Sequence, residues 1–173
     1  MKNGVVLGAI VLGAGLILHA TPPAMAQDVL TTHRLSAALA AEAVAEAVAA
    51  CAKQGYKVTA AIVDDDGIVQ AMLRGDGASM TTLKASRDKA YTVLMLGGSR
   101  NEDTSSAIAQ RMGNTPSAGG LVKLPRILLL GGAIRIKVGT EAIAAIGVGG
   151  APGGELDEAC AKAGVDKISG RLK

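Results

Sequence analysis

The chain has no phenylalanine, no tryptophan and only two tyrosines, Tyr56 and Tyr91. Proteins that hold single-stranded nucleic acid stack bases on aromatic rings, and two tyrosines give no such platform. The formal charge is only +3 over 173 residues, with no basic stripe, so nucleic acid is excluded as the partner. Histidine is almost as scarce, with His19 and His33 alone. A multi-histidine metal site beyond the N-terminal region is therefore excluded, and any Ser-His-Asp or Cys-His arrangement would have to be built around His33. There is no G-x-S-x-G elbow and no Walker lysine. A dinucleotide fingerprint opening at Gly147 would put Pro152 where its last glycine belongs. These gaps favour a binding protein over an enzyme.

Cysteine occurs twice, at Cys51 and Cys160. Their separation excludes C-x-x-C redox chemistry, C-x-x-C-H haem attachment and a zinc ribbon. Two readings stay open: a disulfide closing a loop of about 110 residues, worth roughly 3 to 5 kcal/mol in the chain-entropy model, or two buried thiols acting as small hydrophobes.

What is present begins with an export signal. Lys2 supplies a positive start, Val5 to Leu18 an apolar run, Thr21-Pro22-Pro23 a break and Ala24-Met25-Ala26 a cleavage pattern. Residues 1–26 are expected to be a signal peptide, and an uncleaved anchor is the alternative. Cleavage leaves residues 27–173 as one domain without a membrane span, periplasmic or secreted, with a formal charge of about +2 once Lys2 is lost. That compartment permits a disulfide.

Periodicity predicts a first helix capped by Thr31 or Thr32, running to about Lys53, and burying Ala37, Val44, Val48 and Cys51. Val58 to Val63 and Ile68 to Leu73 read as a hairpin around Asp64-Asp65-Asp66-Gly67. The three carboxylates lack the alternating ligands of an EF-hand and read as a turn. Helices are expected over about Met80 to Leu96 and Glu102 to Arg111, then a loop from Gly113 to Gly120, strands at Ala133 to Val138 and Glu141 to Val148, and a helix around Glu155 to Ala163. The order is not the alternation of a doubly wound sheet, so the expected class is α/β of the α+β kind, with an antiparallel sheet flanked by helices. The glycines from Gly147 to Gly154 read as a strand-to-helix turn.

One neutral imidazole suffices as an axial ligand to haem iron, and helical spacing puts His33 on the face of Val44 and Cys51. The competing reading is an ordinary first-turn histidine. Met72, Met80, Met95 and Met112 are candidate second ligands or pocket walls, or core filler. Arg74-Gly75-Asp76-Gly77 is a polar cluster between a strand and a helix. It suggests an alternative pocket, formed by Arg74 and Asp76, for an enzyme or accessory subunit that binds a small organic acid or other metabolite.

Several segments carry a resemblance. Gly131-Gly132-Ala133-Ile134-Arg135-Ile136, then Glu141 through Gly154, then Asp157-Glu158-Ala159-Cys160-Ala161-Lys162-Ala163-Gly164 resemble the GlcG/HbpS family of haem-binding proteins. Val63-Asp64 with Gly67, Arg74-Gly75-Asp76-Gly77-Ala78 and Lys89-Ala90-Tyr91-Thr92 stand in the family's order. The resemblance implies a single domain with an antiparallel sheet of about five strands, assembly into homo-oligomers, and haem as the ligand. For exported members it also implies iron or redox sensing beside a membrane sensor protein. A related domain closes some cobalamin adenosyltransferases. By the same resemblance His33 is the expected iron ligand; Arg34 and Lys84, chosen for their charge, are expected near the propionates.

Overall fold

Residues 31–173 are described by the computed structural model, so the expected signal peptide lies outside the described residues. Among the described residues, no helix is long and apolar enough to cross a membrane. From Thr32 onward the chain forms one compact unit.

Its centre is a four-stranded antiparallel sheet made of β1 (Thr59–Asp64), β2 (Val69–Arg74), β3 (Ala133–Val138) and β4 (Glu141–Gly149), in the order β2-β1-β4-β3. The expected hairpin is β1–β2. Its turn is closed by the Gly67 amide donating to the Asp64 carbonyl and by the Ile68 amide donating to the Asp64 carboxylate. The sheet has one strand fewer than the five expected. The edge of β3 is instead occupied in part by non-strand backbone, because Thr104 bridges to Ile134 and the Arg135 amide donates to the Asp103 carbonyl. The apolar run Ile127 to Leu130 forms no strand.

Strand alternation divides the core in two. On one face Ala60, Ile62, Ile136, Ala144, Ile146 and Val148 pack with α1 (Ala37–Ala52) and α5 (Gly154–Ile168). On the other, Val63, Ala133 and Ala145 meet α2 (Thr81–Gly97) and Ile108 of α3 (Ser105–Gly113). A one-turn α4 (Ala118–Leu121) lies partly within the segment expected to be a loop. Small residues allow close layers: a Cβ at Gly147 would lie 2.1 Å from the Ser86 carbonyl oxygen, so α2 rests on β4 backbone to backbone.

Cys51 and Cys160 are joined as a disulfide between α1 and α5. Of the two readings left open by the sequence, the bridge is the one observed.

The start of α1 differs from expectation. Its cap is Ser36, whose hydroxyl accepts from the Leu39 amide, and not Thr31 or Thr32. Leu35, just before the cap, is buried with Ala40 and fixes the entry of the chain. The buried stripe is accordingly Ala40, Ala43, Val44, Ala47 and Cys51, with Ala37 exposed. His33 therefore precedes the helix and does not share its Val44–Cys51 face.

Candidate functional site

Three consecutive residues ahead of α1 are held by three different anchors. His33 reaches the start of β4: its ring Nδ1 lies 2.6 Å from Glu141 Oε2, and its amide donates to Glu141 Oε1 at 3.2 Å. Arg34 turns the other way, donating to Asp66 at 3.1 Å and making an ion pair with Asp65 at 3.0 Å that lacks hydrogen-bond alignment. Leu35 is buried, and its carbonyl accepts from Gln70 of β2. The segment thus crosses the end of the sheet where both hairpins turn. The acidic turn Asp64 to Asp66 serves here as the partner of Arg34.

The electrostatic consequences are local. The hydrogen bond from the His33 side chain, followed by that from its amide, holds the Glu141 carboxyl below its ordinary value of 4.5. The hydrogen bond with Asp66 and the charge of Asp65 raise the Arg34 guanidinium further above its ordinary range. A carboxylate on Nδ1 fixes that nitrogen as the N–H and leaves Nε2 as the one with a lone pair. Among the described residues Nε2 has no hydrogen-bond partner. This is the arrangement in which an imidazole serves as a metal ligand.

Around His33 the cleft is small, about 100 Å³, walled by Leu35, Leu39, Val138, Ile143 and Leu172 and rimmed by Arg34, Arg171 and Lys173. Pockets that engulf a drug-sized ligand run to roughly 300–1,000 Å³. A ligand larger than this would extend beyond the cleft.

The other expected site residues lie elsewhere. Lys84 is on α2, across the sheet from His33, and pairs with the buried Asp88 at 2.5 Å. It lines a different cleft with Val69, Met72, Met80, Leu83 and Arg87. The structure does not bring Lys84 to His33, because the sheet separates the layers they occupy. Of the candidate second ligands, Met72 and Met80 are in that same distant cleft and Met112 packs beside α2, where its sulfur accepts from Arg100. Arg74 and Asp76 do share a cleft, beyond the C-terminal end of α1.

Sequence reasoning missed Glu141, Arg171 and Lys173. Glu141 lies 108 residues from His33, and no local signal links them.

The glycine-rich turn before α5 fills its own polar groups. Asp157 accepts from the Ala151 amide and from Lys89, whose ammonium also donates to the Val148 carbonyl. The expected strand-to-helix turn is narrower than Gly147 to Gly154: Gly150 has a left-handed φ of +132°, whereas Gly147 and Gly149 lie in β4 against α2 and Gly154 opens α5 against Gly131, so close packing accounts for those three.

No curated protein matches the chain. Among solved structures it is similar to a double mutant of HbpS from Streptomyces reticuli, at 33% identity and a TM-score of 0.71, over 86% of this chain and 96% of that one. Klebsiella pneumoniae protein ORFY has the same fold at 22% identity and a TM-score of 0.75, over 84% and 98% of the two chains. So does PduOC, solved as a haem complex, at 17% identity and a TM-score of 0.67, over 79% and 96%. The sequence pattern of the family described as "Haem degrading protein HbpS-like" matches residues 35–166. With most of its length matched by that pattern and by HbpS itself, the chain belongs to the HbpS-like family.

Proposed function

We propose that this is an exported haem-binding protein whose iron ligand is His33. The single observation that carries the reading is the His33–Glu141 pair, in which a carboxylate orients the one imidazole among the described residues and leaves Nε2 free. Bound haem supplies an iron centre for ligand exchange or electron transfer. The chain's own residues would hold it: Leu35, Leu39, Val138 and Ile143 offer an apolar bed, and Lys173 offers a cation for a propionate beside Arg34 and Arg171, which would exchange their pairs with Asp66 and Glu42 for one. Arg171 and Lys173 take over the role expected of Lys84.

Family membership and the haem complex of PduOC support haem as the ligand. The N-terminal pattern through Ala26 supports export, and the Cys51–Cys160 bridge fits an oxidising compartment. The small size of the His33 cleft suits a homo-oligomer in which a second copy completes the site. Haem or iron sensing through a membrane partner is the role that the family resemblance implies for exported members.

The test is a haemin titration of the protein beginning at Gln27, alongside His33→Ala and Glu141→Gln. The expected result is a Soret shift at micromolar haemin that His33→Ala abolishes. Glu141→Gln should weaken binding about tenfold or more, as loss of an orienting partner does. Identical spectra and affinities for the native protein and His33→Ala would overturn the assignment of His33.

A further inference from the structure

The helix α1 has 16 residues, which at 1.5 Å per residue places its two ends about 24 Å apart. His33 lies before one end. Beyond the other is a separate cleft of about 440 Å³, within the range of small-molecule pockets. Its floor is apolar, formed by Val48, Ala52, Val58 and Leu73. Its rim carries Lys57, Arg74 and Asp76, with Tyr56 beside them.

The rim is built, and its charges are not spent on one another. Arg74 Nε donates to the Ala78 carbonyl at 2.7 Å, and the Ala78 amide donates back to the Gly75 carbonyl. The guanidinium is thereby fixed by its own turn, with both terminal nitrogens lacking partners among the described residues. Lys57 approaches the same turn: its Nζ is 3.4 Å from where a Cβ of Gly77 would stand. Yet Lys57 makes no ion pair with the adjacent Asp76, and neither side chain has a hydrogen bond among the described residues. Gly75 lets this turn sit closely on the floor, since a Cβ there would meet the Val58 carbonyl oxygen at 2.9 Å and Val48 at 3.1 Å.

Two unpaired cations, one unpaired carboxylate and an apolar floor define a complementary ligand. Its carboxylate faces Lys57 and Arg74, its ammonium faces Asp76, and its side chain covers Val48 and Leu73. We infer that this cleft binds a free amino acid with an apolar side chain. A simple carboxylic acid would leave Asp76 facing an anion, which disfavours it. The site is independent of the haem reading, because it shares no residue with the His33 cleft.

Calorimetric titration of haem-free protein with L-leucine, 4-methylpentanoate and isoamylamine tests this. The three probes share the isobutyl body and differ in which charges they carry. Leucine should bind, and each single-charge analogue should bind about tenfold more weakly or worse, since each forfeits a charge-assisted contact. Arg74→Gln and Asp76→Asn should each weaken leucine, and Asp76→Asn should narrow the gap between leucine and 4-methylpentanoate. Both positions are exposed, and unchanged circular dichroism would confirm that folding is retained despite loss of the Arg74–Ala78 hydrogen bond. His33→Ala should leave leucine binding intact, which separates failure here from failure of the haem assignment. No heat with leucine, equal affinity for 4-methylpentanoate, or binding unaffected by both cleft variants would overturn the inference.

Discussion

Lys89 Nζ lies 2.7 Å from Asp157 Oδ2 with both side chains almost wholly buried, so α2 is tied to the first turn of α5 across the end of β4. The pair is completed by the Val148 carbonyl on the lysine and the Ala151 amide on the aspartate. Removing one partner strands a buried charge, which costs about 3–5 kcal/mol, whereas replacing both by apolar side chains is often close to neutral. Lys89→Met should therefore lower unfolding stability in urea by about that amount. The double variant Lys89→Met/Asp157→Leu should recover much of the loss. Equal destabilisation in the single and double variants would show that geometry, not charge, ties the helices.

The same pair shows why part of the fold was legible in the sequence and part was not. Strands and helices declare themselves through local period, and Val58 to Leu73 shows its hairpin because apolar runs flank an Asp-Gly turn. Lys89 and Asp157 are 68 residues apart, and nothing local couples them. The beginning of α1 misled for a related reason. Thr31, Thr32 and Ser36 are all chemically able to cap, and the choice falls to Ser36 because Leu35 is buried by tertiary packing. That shift takes His33 off the helix. Its partner Glu141 then comes from the far hairpin, so the histidine could be singled out by its rarity but its environment could not. Lys84 was drawn to the same site by charge alone, and only the layer order of the fold separates the two.

Cys51 and Cys160 are buried and joined over 109 residues. The chain-entropy model gives roughly 5 kcal/mol for a loop of that size, less any native-state strain. Paired Cys51→Ala/Cys160→Ala substitution, or unfolding in the presence of reductant, should lower stability toward that limit. Because both sulfurs are inaccessible in the folded state, reduction of native protein should be slow and should accelerate with denaturant. Thiol trapping followed by mass spectrometry reads both effects; rapid reduction without denaturant would contradict the burial.

Gly147 offers a steric test of the α2–β4 contact. A Cβ there would lie 2.1 Å from the Ser86 carbonyl oxygen and 2.8 Å from the Ala90 nitrogen, neither of which can move without displacing the helix. Gly147→Ala should cost about 1–3 kcal/mol, as overpacking does. Gly113, at the end of α3, has nothing within 4 Å of the added carbon. Gly113→Ala should be neutral or gain up to about 1 kcal/mol by restricting the unfolded chain. Similar thermal shifts for the two would remove close packing as the reason for glycine at 147.

Glu141 gives the pH signature of the His33 tether. Its carboxyl is held below 4.5 in the folded protein by the hydrogen bonds from His33. A group whose folded pKa is depressed stabilises the fold above its unfolded value and loses that contribution as pH falls through the folded one. The stability difference between the native protein and Glu141→Gln should therefore be flat as pH falls from neutrality toward the ordinary carboxylate range. It should shrink only below 4.5. The Glu141 carboxyl resonance should titrate below 4.5 in the native protein and move back toward that value in His33→Ala, since the first cause of the depression is the side chain removed. A native midpoint at or above 4.5 would mean that the imidazole does not hold this carboxylate in solution. Nε2 would then lack the fixed orientation on which its role as a ligand rests.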